Sequence, residues 1–140
     1  MTILVVLFAD HALKWWLQRS LGSRALSLGA LGEVRLHQAP IWLLRGGVRL
    51  GPLALWGAWM TGSSGILVAT VALGLPAWSI ALLLGGSLSH ALEMSWRGSV
   101  ADYIALPGWP AFDLADVALV VGASGTLGAL VRATLGALAL

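Results

Sequence analysis

The sequence predicts an all-α membrane protein of four transmembrane helices, with a small β element after the first helix. Three observations lead there. Hydrophobic residues make up 59% of the 140-residue chain and charged residues only 10%, against about 25% charged in a soluble domain. Mean hydropathy is +0.89. The apolar residues gather in four segments, at 1–17, 52–72, 76–95 and 114–132, each close to the roughly 20 residues that a helix needs to cross the hydrocarbon core. The connections at 18–50 and 97–112 leave no room for a second core, so residues 1–140 read as a single integral membrane domain.

Composition also excludes several function classes. With no cysteine there is no disulfide, no thiolate metal site and no cysteine nucleophile. The net charge of +2 comes from arginines scattered through loops without a basic stripe, which argues against a nucleic-acid partner. The three histidines show no metal-ligand spacing, so no metal is expected. No internal repeat or low-complexity tract is present.

The first segment is interrupted by Asp10 and Lys14. It lacks the basic start and cleavage signal of a signal peptide and reads as a retained helix. Asp10 and Lys14 are four apart, share a helical face and can pair, which is how hydrocarbon tolerates both. Trp15 and Trp16 mark the exit to the interface. In the polar stretch that follows, Val34-Arg35-Leu36-His37 alternates with the period of a strand, and Arg45-Gly46-Gly47 offers a turn before Val48-Arg49-Leu50. A small sheet on the membrane surface fits this pattern; an irregular basic loop at the headgroups fits it as well.

From Leu50 to Leu92 no residue is charged. That length suits two spans hinged at Gly74-Leu75-Pro76, where proline favours a turn. Gly62-Ser63-Ser64-Gly65 and Gly85-Gly86-Ser87 supply the small residues that let membrane helices approach closely. Glu93, Trp96 and Arg97 close the third span, with Glu93 and the two boundary residues within reach of the interface. The fourth opens behind Asp113 and Asp116, a spacing that also suits a helix N-cap with an acid in the first turn.

Four spans put loops 18–50 and 97–112 on one side of the membrane. Asp10, Glu93, Asp102 and Asp116 approach that side. Carboxylates crowded in a poorly solvated site do not all ionise easily, so one holds a proton at neutral pH. Such a pair suits aspartic peptidase chemistry, in which the ionised member takes a proton from water and the protonated member polarises the scissile carbonyl; the two carboxyl groups of soluble aspartic proteases share a proton in this way.

The run GGSLSHALEMSWRGSVADYI followed by WPAFDLAD, with Asp10-His11-Ala12-Leu13-Lys14 in the first helix, resembles signal peptidase II, the lipoprotein signal peptidase family. The resemblance spans nearly the whole chain. It implies a multi-pass aspartic endopeptidase of the bacterial cytoplasmic (inner) membrane, with its active site near the extracytoplasmic face and loops 18–50 and 97–112 on that side. It implies diacylglyceryl-modified prolipoprotein substrates, cut before the lipidated cysteine, a monomer in contact with membrane lipid, and no cofactor. By residue it implies a catalytic pair of Asp102 and Asp116, supported or aided in substrate positioning by Asp10, Lys14, His37, His90, Glu93 and Asp113.

The chain departs from the family pattern at several of these positions. His37 and His90 stand where the family has asparagine, Glu93-Met94 where it has aspartate-arginine, and Asp113 where it has the asparagine before the last aspartate. Arg97, four residues after Glu93, can supply the missing charge if the helix continues that far. Pro107, Gly108 and Pro110 imply that the family's short membrane-surface helix is shortened or lost. Loop arginines would place the 18–50 side in the cytoplasm by the positive-inside rule, whereas the family places it outside, and the family orientation is the one expected here. The alternative function is a catalytically weak or inactive paralogue that binds lipoprotein precursors or a family inhibitor. A membrane scaffold, with the acids serving only as caps and ion pairs, leaves Asp102 unexplained.

Overall fold

The computed structural model describes residues 1–22, 24–39 and 51–138; the expected turn at Arg45-Gly46-Gly47 and the strand at Val48-Arg49-Leu50 lie outside them. The described residues are mostly helical with one small sheet. Its elements are α1 (Thr2–Leu21), β1 (Leu26–Ser27), a 3-10 turn (Gly29–Leu31), β2 (Glu33–Ala39), α2 (Pro52–Leu73), α3 (Ala77–Arg97), β3 (Val100–Ala105) and α4 (Leu114–Leu138). The helices begin and stop where backbone chemistry directs. Pro52 opens α2, where its missing N–H is no loss. Gly98 ends α3 in the left-handed conformation at φ 69, its N–H donating to Met94 O.

Among the described residues two helices, α2 and α4, are long and apolar enough to cross a membrane by length and composition. The other two, α1 and α3, hold the buried charges Asp10, Lys14 and Glu93. None of α2 is buried, and its Leu53 and Val71 are 91% and 87% exposed. Such a surface suits hydrocarbon rather than water.

The interior forms where α3 passes between α1 and α4. Adjacent glycines make both approaches possible. A Cβ at Gly85 would stand 3.0 Å from Val6 Cβ on α1, and one at Gly86 would stand 2.6 Å from Ala115 O on α4. Val6, Leu17, Ile80, Leu84, Ala91, Ala115 and Ala118 fill the seams.

The sheet is antiparallel in the order β1-β2-β3. Its register pairs His37 with Asp102 and Val34 with Ile104, with an irregularity between them that bends β2. The third strand corrects the sequence reading, which assigned 97–112 entirely to a loop and looked for the sheet only after the first helix. Val100 to Tyr103 are all buried, and a strand covered on both faces loses the alternation by which strands are recognised. After β3 the chain turns at Leu106-Pro107-Gly108-Trp109, with Trp109 N–H donating to Leu106 O at 3.1 Å and Gly108 at φ 78, the glycine position of a type II turn. Phe112 then pairs back on Ile104, at 2.9 and 3.0 Å. No helix lies between β3 and α4 among the described residues.

Candidate active site

The topology draws five elements to one place. The second half of α1, the end of α3 and the start of α4 meet beneath β2 and β3, and their polar residues meet there. Asp10 and Lys14 come from one face of α1. Ser89, His90, Glu93 and Arg97 lie along one stripe of α3, at the three- and four-residue spacing of a helix. Asp113 and Asp116 come from the start of α4, and Asp102 from β3.

Lys14 is the hub. Its Nζ lies 2.8 Å from Asp10 Oδ2, 2.6 Å from Glu93 Oε2 and 2.5 Å from Asp113 Oδ2, with all four side chains at most 2% exposed. Desolvating these charges is costly, and it is offset only because each has partners. Ser89 Oγ donates to Asp10 Oδ2 at 2.7 Å. Arg97 Nη1 donates to Glu93 Oε1 at 3.2 Å, because α3 does continue far enough to carry it. Glu93 is therefore a buried ion-pair partner and not an interfacial residue.

Asp113 caps α4. Its Oδ1 accepts the Asp116 N–H at 2.8 Å, and Asp116 Oδ2 accepts the Asp113 N–H at 3.1 Å, the reciprocal arrangement of a capping box. The cap is also part of the polar cluster, since its second oxygen is on Lys14. Burial alone would raise the Asp113 carboxyl; the hydrogen bond and charge of His90 and the Lys14 ammonium outweigh it and hold Asp113 below the ordinary carboxylate range. His90 Nε2 stands between the two acids, 3.3 Å from Asp113 Oδ1 and 3.6 Å from Asp116 Oδ1.

Asp102 enters from β3 and is 9% exposed. Burial, followed by the negative charges of Asp116 and Asp113, pushes its carboxyl up to about 7, so it holds its proton far above the usual carboxylate range and loses it near neutrality. His37 is its cross-strand partner in register, so both side chains leave the same face of the sheet. His37 is itself exposed. The structure thus brings Asp10, Lys14, Glu93, Asp113, His90 and Asp116 into one chain of polar contacts, with Asp102 in its field and His37 above it.

A groove of about 540 Å³ opens beside Asp116. Leu106, Trp109 and Phe112 form one wall, and Val117, Val120 and Val121 on α4 form the other. Asp116 is the one charged residue among those lining it. An acid at the head of an apolar groove can act on a polar bond in a ligand that is otherwise apolar.

Two trios place ligand atoms within 4.8 Å of one another: His90 with Asp113 and Asp116, and Asp10 with Glu93 and Asp113. In the second the Lys14 ammonium already sits among the three oxygens.

Sequence reasoning missed two residues of the site. Ser89 was visible in principle, being one helical turn before Glu93. Tyr103, 2% exposed, accepts the Leu114 N–H on its phenolic oxygen at 2.9 Å and so ties β3 to the first turn of α4. Nothing local in the sequence signals that contact.

Comparison with known proteins identifies the family and the fold. The family described as signal peptidase (SPase) II matches residues 2–132. A lipoprotein signal peptidase of Moorella thermoacetica is 46% identical over 44 residues, 31% of this chain and 29% of that protein. One of Methylobacterium sp. (strain 4-46) is 32% identical over 90 residues, 61% of this chain and 49% of that protein. The chain thus matches between 29% and 49% of the length of these relatives. A solved structure described as a bacterial membrane enzyme, determined by the in meso method at 1.9 Å resolution, superposes with a TM-score of 0.68 at 19% identity, over 92% of this chain and 89% of that one. A second, at 2.3 Å resolution, gives the same TM-score over 95% and 87%. At that identity the likeness is one of fold. The match over residues 2–132, more than nine-tenths of the chain by position, makes this an integral membrane protein of the signal peptidase II family.

Proposed function

We propose that this chain is an aspartic endopeptidase of the signal peptidase II type that removes signal peptides from diacylglyceryl-modified prolipoproteins. The observation that carries the reading is the placement of Asp116 at the head of an apolar groove with Asp102 within its electrostatic field. In this reading all four helices cross the bacterial cytoplasmic membrane as one domain, and the sheet rests on the extracytoplasmic surface. The buried charges of α1 and α3 face inward onto Lys14, which is how hydrocarbon tolerates them.

The apolar part of the substrate lies along Val117, Val120 and Val121, and the scissile amide reaches the two aspartates. The ionised aspartate takes a proton from water as the water oxygen bonds to the carbonyl carbon. The protonated one donates to the carbonyl oxygen. The resulting diol collapses as the first aspartate passes its proton to the leaving nitrogen and the second recovers its own. Lys14, Asp10, Glu93 and Asp113 hold the start of α4 in place, and His37 is placed to meet the substrate backbone from β2. No step requires a cofactor, and the chain acts as a monomer.

The test is incubation of the purified protein in detergent with a diacylglyceryl-modified prolipoprotein, followed by mass analysis of the products. Cleavage before the lipidated cysteine supports the reading. The presence of a His90–Asp113 pair at positions where the family has amides favours a second reading, an inactive paralogue that binds precursors or a family inhibitor. Saturable precursor binding by folded protein without cleavage would support that instead.

A further inference from the structure

We propose that His90 is a positioning residue that keeps Asp116 ionised, so that the proton shared by the catalytic pair resides on Asp102. This rests on the peptidase reading and assigns the two roles within it. The geometry around the two acids is unequal. Asp116 Oδ2 accepts the Asp113 N–H at 3.1 Å, and the carboxylate lies in the first turn of α4, where the helix dipole favours an anion. Its Oδ1 faces His90 Nε2 at 3.6 Å. Asp102 lies on a strand rather than in the first turn of a helix, and no side-chain hydrogen bond from it is found among the described residues.

The ring of His90 is held in this position from behind. Asp113 Oδ1 lies 3.3 Å from Nε2, while Asp113 Oδ2 is bound by Lys14, so the buried acid that anchors the imidazole is itself fixed as an anion. The charged groups around the ring are Lys14 from α1, Asp113 and Asp116 from the start of α4, and Asp102 from β3, with Glu93 one turn away on its own helix. Two of these acids touch the ring, and the cation sits behind one of them. The ring therefore supplies positive charge where Asp116 needs it.

In this assignment Asp116 is the general base and Asp102 the general acid. Asp116 takes the proton of the attacking water, and Asp102 gives its proton to the carbonyl oxygen. On collapse of the diol, Asp116 protonates the leaving nitrogen and Asp102 is reprotonated from a diol hydroxyl. Proton count is conserved over the cycle.

Two measurements test it. The first is the pH profile of kcat/KM for His90→Asn and His90→Asn with Asp113→Asn. Loss of the imidazole alone should move the acid limb up by about 1 pH unit or more, and removing Asp113 as well should bring it back, because one positive and one negative neighbour are lost together. An acid limb that stays in place while the plateau falls would mean that His90 is only structural, and would overturn the proposal. The second does not need turnover. With carboxyl-13C aspartate, the carboxylic-acid band in the infrared spectrum near neutral pH should lose its isotope sensitivity in Asp102→Glu and keep it in Asp116→Glu. The reverse pattern would overturn the assignment. Should the wild-type protein be inert on prolipoprotein, the peptidase reading fails, and the infrared result still decides where the proton lies.

Discussion

Lys14 Nζ lies 2.5 Å from Asp113 Oδ2, joining the middle of α1 to the residue that caps α4 across 99 positions of sequence. The same ammonium meets Asp10 and Glu93, so the relative placement of three helices depends on one charge. Replacing it by a shape-matched apolar side chain leaves three buried carboxylates without their common cation. Lys14→Met should therefore cost about 3–5 kcal/mol of stability, read as a lowered unfolding transition in detergent. Unchanged stability would mean that the cluster does not organise the helices.

Tyr103 offers a smaller effect of the same kind. Its phenolic oxygen satisfies the Leu114 N–H, one of the donors that a helix start leaves unpaired. Tyr103→Phe keeps the ring and removes the acceptor. It should destabilise the protein by about 1–3 kcal/mol and reduce kcat through a looser Asp116, with little change in KM. A variant indistinguishable from wild type in both measurements would show that the contact does not position α4.

The pH dependence follows from Asp102, whose carboxyl is raised from 3.8 to about 7 by burial and by its acidic neighbours. A group that must give up a proton works below that value and fails above it. Activity should therefore fall as pH rises through about 7, and the alkaline limb belongs to the pair rather than to either member alone. Stability carries the same sign. Between 3.8 and about 7 the folded chain binds a proton that the unfolded chain has released, so this group makes stability decline with rising pH across that window. Asp102→Asn should flatten the decline, as pH-dependent unfolding would report.

The groove makes a prediction about affinity that leaves the acids alone. Val121 is 45% exposed on its α4 wall, well over one turn beyond Asp116. Val121→Phe narrows the channel without reaching the carboxylates. KM for a full-length prolipoprotein should rise by about 10-fold, the penalty of a poorly fitting apolar contact, with kcat nearly unchanged. An unaltered KM would place the apolar part of the substrate elsewhere.

Much of this was legible in the sequence because the signals were local. The spacing of Asp10 and Lys14, and of Glu93 and Arg97, is set by one helical turn, and both ion pairs are present. The glycines at 85 and 86 announced close packing, and each faces a different helix. What the sequence concealed was long-range. The strand around Asp102 is buried on both faces and shows no alternation, so its pairing with β2, and the placement of His37 opposite Asp102, had no local trace. The spacing of Lys14 points only to its pairing with Asp10, and the family resemblance to a supporting role in the site; its contacts with Glu93 and Asp113 arise only once three helices meet. Asp113 was expected to be a helix cap or a site residue, and its two oxygens allow it to be both.

The most direct measurement is cleavage of a diacylglyceryl-modified prolipoprotein by the wild-type protein beside Asp102→Asn and Asp116→Asn, each verified as folded by its unfolding transition. The account predicts release of the signal peptide before the lipidated cysteine by the wild type, and loss of at least about 10²-fold in rate in each variant, the contribution expected of a positioned acid or base. Cleavage that survives either substitution would contradict it.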